Sequence, residues 1–191
     1  MNVAFAHEKI GGKILDIGGG HRPDYFSYFE IAEGSSIGVL DGSMTGINFE
    51  SDRIPHTDES VDTVLLCNVL EHVYNYRHLL SETRRVLNKN GTLVGFVPFL
   101  VGYHPDPNDY FRYTKEALMR MGKDAGFSQT DVREVGGGPF MANFNLIVLS
   151  LPRLLRPVLY LWYAGLDYIF LSLRPGARVR VPLGFLFRFK P

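Results

Sequence analysis

The sequence predicts an α/β protein with a mostly parallel sheet and helices on both faces. Three observations carry this reading. Short β-branched apolar runs alternate with amphipathic stretches up to about residue 136. Each run is bounded by Gly or Asp, as buried parallel strands tend to be. The 191 residues are 46% hydrophobic, which suits one domain with a sizeable core.

Taken in order, "KILDI" (13–17), "SIGVL" (36–40), "VDTVLLC" (61–67) and "GTLVGFV" (91–97) read as buried strands. Helical patterns fall between them at 24–34 and 75–91. The second carries apolar Leu79, Leu80, Val86 and Leu87 and is expected to stop at Gly91 in a left-handed cap. A further helix is expected over 114–127, with Thr114 as N-cap and Gly126 as stop, followed by a strand over 128–135. One connection is irregular. Only "DGSMTG" separates the second strand from "INFE", whereas a parallel crossover needs about a dozen residues. The usual helix is therefore missing there, and "INFE" is a degenerate strand or an ordered loop.

Lys plus Arg equals Asp plus Glu at 20 each, so no global basic field draws the chain to nucleic acid. The charges are unevenly spread. From residue 139 onward stand seven basic residues and a single acid, Asp167, against thirteen and nineteen before it. Cys67, the single cysteine, excludes an internal disulfide. The first twelve residues lack the basic and apolar run of a secretory signal, and a cytoplasmic protein is expected.

"DIGGGHR" (16–22) closes the first strand, where open α/β sheets bind ligands. Gly18, Gly19 and Gly20 let a ligand approach the backbone, but the third glycine of a dinucleotide fingerprint is absent. Asp16 before the loop would repel a pyrophosphate and suits a cationic ligand. Asp41, closing the next strand, can accept from both hydroxyls of a ribose. A cationic ligand that bears a ribose is S-adenosylmethionine.

Four ordered motifs over residues 13–135 resemble those of the class I S-adenosylmethionine-dependent methyltransferases: "ILDIGGG", "IGVLDGS", "NFESDRIPHTDESVDTVLLCNVLEHV" and "RVLNKNGTLVGFVPF". "HPDPNDYFRYTKEAL" resembles a branch met in cell-envelope and lipid-linked glycan pathways. The resemblance implies a Rossmann-like sheet of seven strands with the last antiparallel. It also implies that Gly18 and Gly20 face the methionine part of the cofactor, Asp16 helps hold its amino group and Asp41 binds its ribose. Asn48, Phe49 and Glu50 would border the adenine, and Asn68, with Leu70 nearby, would underlie the methionine portion. The family more often has Asp where Asn48 stands. The helices that usually precede the first strand shrink here to twelve residues, so the lid over the cofactor is expected to be missing or supplied from elsewhere.

Transfer to a hydroxyl calls for alignment and for removal of its proton. The loop after the fourth of these runs, "FLVGYHPDPNDYFRYT", carries His104 and Asp109 as candidate bases and Tyr103, Tyr110, Arg112 and Tyr113 as candidate substrate contacts. An Arg112–Asp109 pair with packed tyrosines is the alternative. His72 is a further candidate for proton transfer. Glu71 and His72 alone are too few for a metal, and no further cluster with ligand spacing is evident, so none is expected.

Residues 139–180 are apolar and aromatic, with one charge in the sixteen residues 158–173. That run is short of the roughly 20 residues a bilayer span needs. Its aromatics and the flanking Arg153, Arg156, Arg174, Arg178 and Arg180 favour peripheral membrane contact through 152–176, with a homodimer interface as the alternative. "VPLGFLFRFK" (181–190) reads as a returning edge strand, which makes 139–180 a helical insertion in a single domain. The expected protein transfers a methyl group to a lipid-linked, glycan or small-molecule hydroxyl at the inner membrane face. A non-catalytic binding module of the same fold is the rival from another class.

Overall fold

The computed structural model describes residues 5, 6, 8–20 and 24–191. In chain order the strands are β1 (Lys9–Ile10), β2 (Lys13–Ile17), β3 (Glu30–Ile31), β4 (Ser36–Leu40), β5 (Val61–Cys67), β6 (Leu87–Pro98), β7 (Gln129–Val135) and β8 (Gly184–Lys190). The helices are α1 (Gly42–Thr45), α2 (Tyr76–Val86), α3 (Lys115–Asp124), α4 (Pro139–Ile147) and α5 (Arg156–Leu173). The main sheet has six strands in the order β4-β2-β5-β6-β8-β7, and β1 pairs with β3 in a separate small sheet. β4, β2, β5 and β6 are parallel, and β8 runs antiparallel to both β6 and β7.

The α/β, mostly parallel architecture agrees with the sequence reading, and several details correct it. Six strands stand in place of seven because "INFE" is an ordered loop, folded by side-chain contacts to its own backbone. The 24–34 stretch is a 3-10 turn over Asp24–Tyr28 followed by β3, not an α-helix. α2 stops at Val86, and Gly91 lies inside β6 rather than capping the helix. A Cβ at Gly91 would stand 3.0 Å from the Asp62 carbonyl, which explains a glycine there without a left-handed turn. β4 is an exposed edge strand, and β8 is not at the edge but between β6 and β7. Thr114 does cap α3, accepting from the Ala117 N–H, and Gly126 has φ +88° at its end.

Alternation along β5 divides the core. Val64 and Leu66 face α2 and α3 through Leu79, Leu80 and Leu118, while Leu65 and Cys67 face Phe5, Tyr25 and Phe29. The second face is thus covered by aromatic side chains, Tyr25 coming from the 3-10 turn.

The insertion is a helix pair, α4 against α5, joined by one buried carboxylate. Asp167 on α5 accepts from the N–H groups of Gly138 (2.9 Å), Phe140 (3.1 Å) and Met141 (2.8 Å). α4 has no side-chain cap of its own, so Asp167 satisfies its orphan donors from another helix. A Cβ at Gly138 would collide with the Asp167 carboxylate, so this contact needs a glycine. The lone acid in the apolar stretch is a clamp within the fold.

Candidate active site

Parallel pairing puts the carboxyl ends of β2, β4 and β5 side by side, with Ile17 opposite Leu40 and Leu66. A cavity of about 450 Å³ opens there, within the range of small-molecule sites. Gly18, Asp41, Phe49, Asn68, His72 and Asp106 line it, with Gly42, Ser43, Val69, Val73 and Pro107 between them. Gly18 has φ +76°, and its N–H donates to the Leu40 carbonyl at 2.8 Å. A side chain there would strain the turn and strike Val69 at 2.8 Å. At Gly20 (φ +68°) a Cβ would meet no atom within 4 Å, so its backbone is open to a ligand. His21–Pro23, which end the glycine motif, lie outside the described residues.

Asp41 stands at the cavity's lip and caps α1. Its carboxylate accepts from Ser43 N–H (2.9 Å) and from Gly20 N–H (3.2 Å). The Ser43 hydroxyl, foremost among these donors, holds its carboxyl below the usual range, so it is ionised and keeps lone pairs for further donors. Asn68, at φ +56°, is one of two non-glycine residues in the left-handed region among those described. Such a backbone is tolerated best by Asn or Asp, and here it turns the chain sharply at the end of β5 beside the cavity.

Asp16 lies elsewhere than expected. It is fully buried beneath the loop, where Tyr25 Oη donates to both carboxylate oxygens at 2.7 Å. A Cβ at Gly19 would collide with Asp16 Oδ2, so Gly19 serves this internal contact and not the ligand. Burial raises the Asp16 carboxyl to about 6, outweighing the Tyr25 hydrogen bond. Asp16 does not line the cavity; it supports the loop from behind.

Asn48 accepts from Glu50 N–H through Oδ1 (2.9 Å), while its own N–H donates to Asp52 (2.9 Å); it shapes the loop that presents Phe49. Glu50 turns to Tyr74 N–H at 3.0 Å, away from the lining. Leu70 is core, with no exposed surface. Phe49, Asp41, Asn68 and Gly18 thus lie together, whereas Asn48, Glu50, Leu70, Asp16 and Gly19 support them.

The 99–114 loop folds toward the same end and brings Asp106 and Pro107 onto the cavity. Asp109 is not a free base. Arg112 holds both of its oxygens, at 2.5 and 2.7 Å, and His104 N–H donates to it at 3.0 Å. The guanidinium keeps this carboxyl far below the usual range. Arg112 is equally committed, and Tyr113 is buried with its hydroxyl donating to the Leu70 carbonyl at 3.1 Å. These three correct the catalytic and substrate-contact readings. Tyr103 and Tyr110 remain exposed and free to meet an acceptor.

His104 and His72 meet edge to face, with ring centroids 5.3 Å apart. Between them lies Glu71, whose side chain is wholly buried. Its oxygens receive no hydrogen bond among the described residues. Burial pushes its carboxyl up to about 8 despite the nearby Arg112. Sequence spacing missed this cluster because His104 arrives from a loop thirty-odd residues downstream.

The family model described as a methyltransferase domain matches residues 36–95. An S-adenosylmethionine dependent methyltransferase from Mesorhizobium loti is 14% identical, with TM-score 0.57 over 100% of this chain and 95% of that one. Phosphoethanolamine N-methyltransferase 2 from Haemonchus contortus, solved with S-adenosyl-L-methionine, is 16% identical, with TM-score 0.54 over 100% of this chain and 52% of that one. The [4+2]-cyclase SpnF is 13% identical, with TM-score 0.57 over 99% and 78%. No curated protein matches the sequence.

The fold is that of the S-adenosylmethionine-dependent methyltransferases. Glycine backbone at Gly18 and Gly20, an ionised carboxylate at Asp41 and the ring of Phe49 would suit S-adenosylmethionine, the ligand with which the Haemonchus contortus structure was solved.

Proposed function

We propose that the protein methylates a hydroxyl of an amphipathic acceptor, lipid-linked or glycan-bearing, at the inner face of the cytoplasmic membrane. Bound S-adenosylmethionine would supply an electrophilic methyl group on a sulfonium. Asp41 would hold its ribose, Phe49 its adenine and Asn68 with Gly18 its methionine part. The hydroxyl would be activated beside His72 and His104, and Tyr103 and Tyr110 would meet the acceptor.

One observation carries the membrane part of this reading. Val158, Leu161, Trp162, Tyr168, Ile169 and Leu173 are all more than half exposed and recur at helical spacing along α5. They form an apolar stripe opposite the face that Asp167 ties to α4. No helix among the described residues is long and apolar enough to cross a membrane, so the stripe suits a helix lying in the interface. The insertion leaves β7 at the cofactor end, since β7 and β6 run in the same direction, and Asn145 of α4 donates to the Leu100 carbonyl of the acceptor-side loop at 3.1 Å.

Co-sedimentation with anionic liposomes tests it. The intact chain is expected in the pellet, and the double substitution Leu161→Glu and Trp162→Glu is expected to leave it in the supernatant. If the unaltered chain stays in the supernatant as a dimer, the stripe is an interface between copies instead.

A further inference from the structure

We propose that Glu71, His72 and His104 form a binding site for a divalent first-row transition metal at the edge of the cofactor cavity. One ligand atom from each lies within 4.8 Å of the other two. The His72 and His104 Nε2 atoms stand 3.8 and 3.9 Å from the same Glu71 oxygen, Oε1.

The protonation pattern separates this cluster from ordinary packing. His72 Nδ1 contacts the Asn108 carbonyl at 2.5 Å, and a carbonyl only accepts, so the proton sits on Nδ1. His104 Nδ1 contacts the Gly102 carbonyl at 2.9 Å, with Asp109 Oδ2 at 3.6 Å; these outweigh Arg112 Nη2 at 3.3 Å and put its proton on Nδ1 too. Both Nε2 atoms then carry lone pairs. Two lone pairs and a wholly buried carboxyl whose oxygens receive no hydrogen bond from another described residue converge on one point. Imidazoles fixed through Nδ1 by backbone carbonyls are the usual arrangement around a bound metal. Among the described residues, the nearby cation Arg112 is already matched by Asp109.

Two imidazoles and one carboxylate suit zinc, manganese, iron or cobalt better than calcium or magnesium. Ligand atoms about 2.0–2.2 Å from a metal stand roughly 3–3.5 Å apart, so the three atoms must close by about 1 Å. His104 is on a partly exposed loop, and a shift of that loop would carry the ring with its Gly102 contact through most of that distance. Three protein ligands leave positions open, and His72 lines the cavity, so the open side adjoins the cofactor. An acceptor hydroxyl bound there would lose its proton more readily, as water does on zinc. This last role rests on the methyl-transfer reading; the metal site itself does not.

The test uses the full-length chain, stripped with EDTA and titrated with cobalt(II) and zinc(II). Expected are one metal per chain and a visible cobalt spectrum. Glu71→Gln and His104→Ala should each weaken binding at least about 100-fold, since loss of a ligand exceeds the 10–100-fold cost of losing an outer-shell partner. S-adenosylmethionine binding by calorimetry should persist in His104→Ala, which shows that the variant is folded and separates failure of the metal site from failure of the cofactor site. Absence of stoichiometric metal binding, or equal binding by both variants and the unaltered chain, overturns the proposal.

Discussion

Two buried carboxylates, one in the insertion and one beside the cofactor cavity, meet opposite fates. Asp167 receives three backbone N–H groups; Glu71 receives none from any other described residue. Both are buried, Asp167 in an apolar helix pair and Glu71 beside two imidazoles and Arg112, and burial penalises each. What separates them is whether the fold supplies donors. The insertion does so, and its acid is structural. The site does not, and its acid is left for something outside the chain. An unsatisfied buried group that adjoins a cavity is a better guide to function than burial or charge taken singly.

The contrast can be broken at several points. Asp167→Ala strips three donors of a charged partner and should have the largest effect: a loss of about 3–4 kcal/mol in urea unfolding, with new protease cleavage within 139–180. A loss below about 1 kcal/mol would mean the clamp is ornamental. Next comes Asp16, a third buried carboxylate, held by a single hydroxyl. Its pKa is about 6 in the fold and 3.8 unfolded, so the native state keeps a proton that the unfolded chain has released. Its contribution to stability is therefore greatest below pH 4, declines by about 3 kcal/mol as pH rises to about 6, and is flat above. Asp16→Asn should remove that decline, as measured by denaturation from pH 4 to 7; an unchanged slope would relocate it to other groups. Smallest is Glu71→Gln in EDTA at pH 4, where the carboxyl is mostly protonated in both the folded and the unfolded chain and no donor is lost, so stability should alter by no more than about 1 kcal/mol. A large loss would reveal a partner for Glu71 and end the contrast.

The sequence showed the sheet more clearly than its coverings. β2, β5 and β6 are apolar, bounded runs, and tertiary structure keeps them as strands. The 24–34 stretch failed because its aromatics looked helical, while Tyr25 is wanted under the glycine loop by Asp16 and Phe29 by Phe5. Gly91 looked like a cap because a glycine after a helix usually is one; only the β5–β6 contact shows the close approach it permits. In the site, Asp41, Gly18, Phe49 and Asn68 were legible from motif position, since topology fixes strand ends. For Asp109 and Arg112 the sequence left a reactive reading and a mutual pair both open, and the structure shows the pair, which depends on loop geometry. The approach of His104 to Glu71 left no local signal at all.

Calorimetric titration of S-adenosylmethionine into the unaltered chain and into Asp41→Ala tests the central claim, that the strand ends form a cofactor site around an ionised carboxylate. One equivalent should bind to the unaltered chain, with affinity falling about 10–100-fold on loss of the ribose contacts. No binding, or equal binding by both proteins, would contradict it.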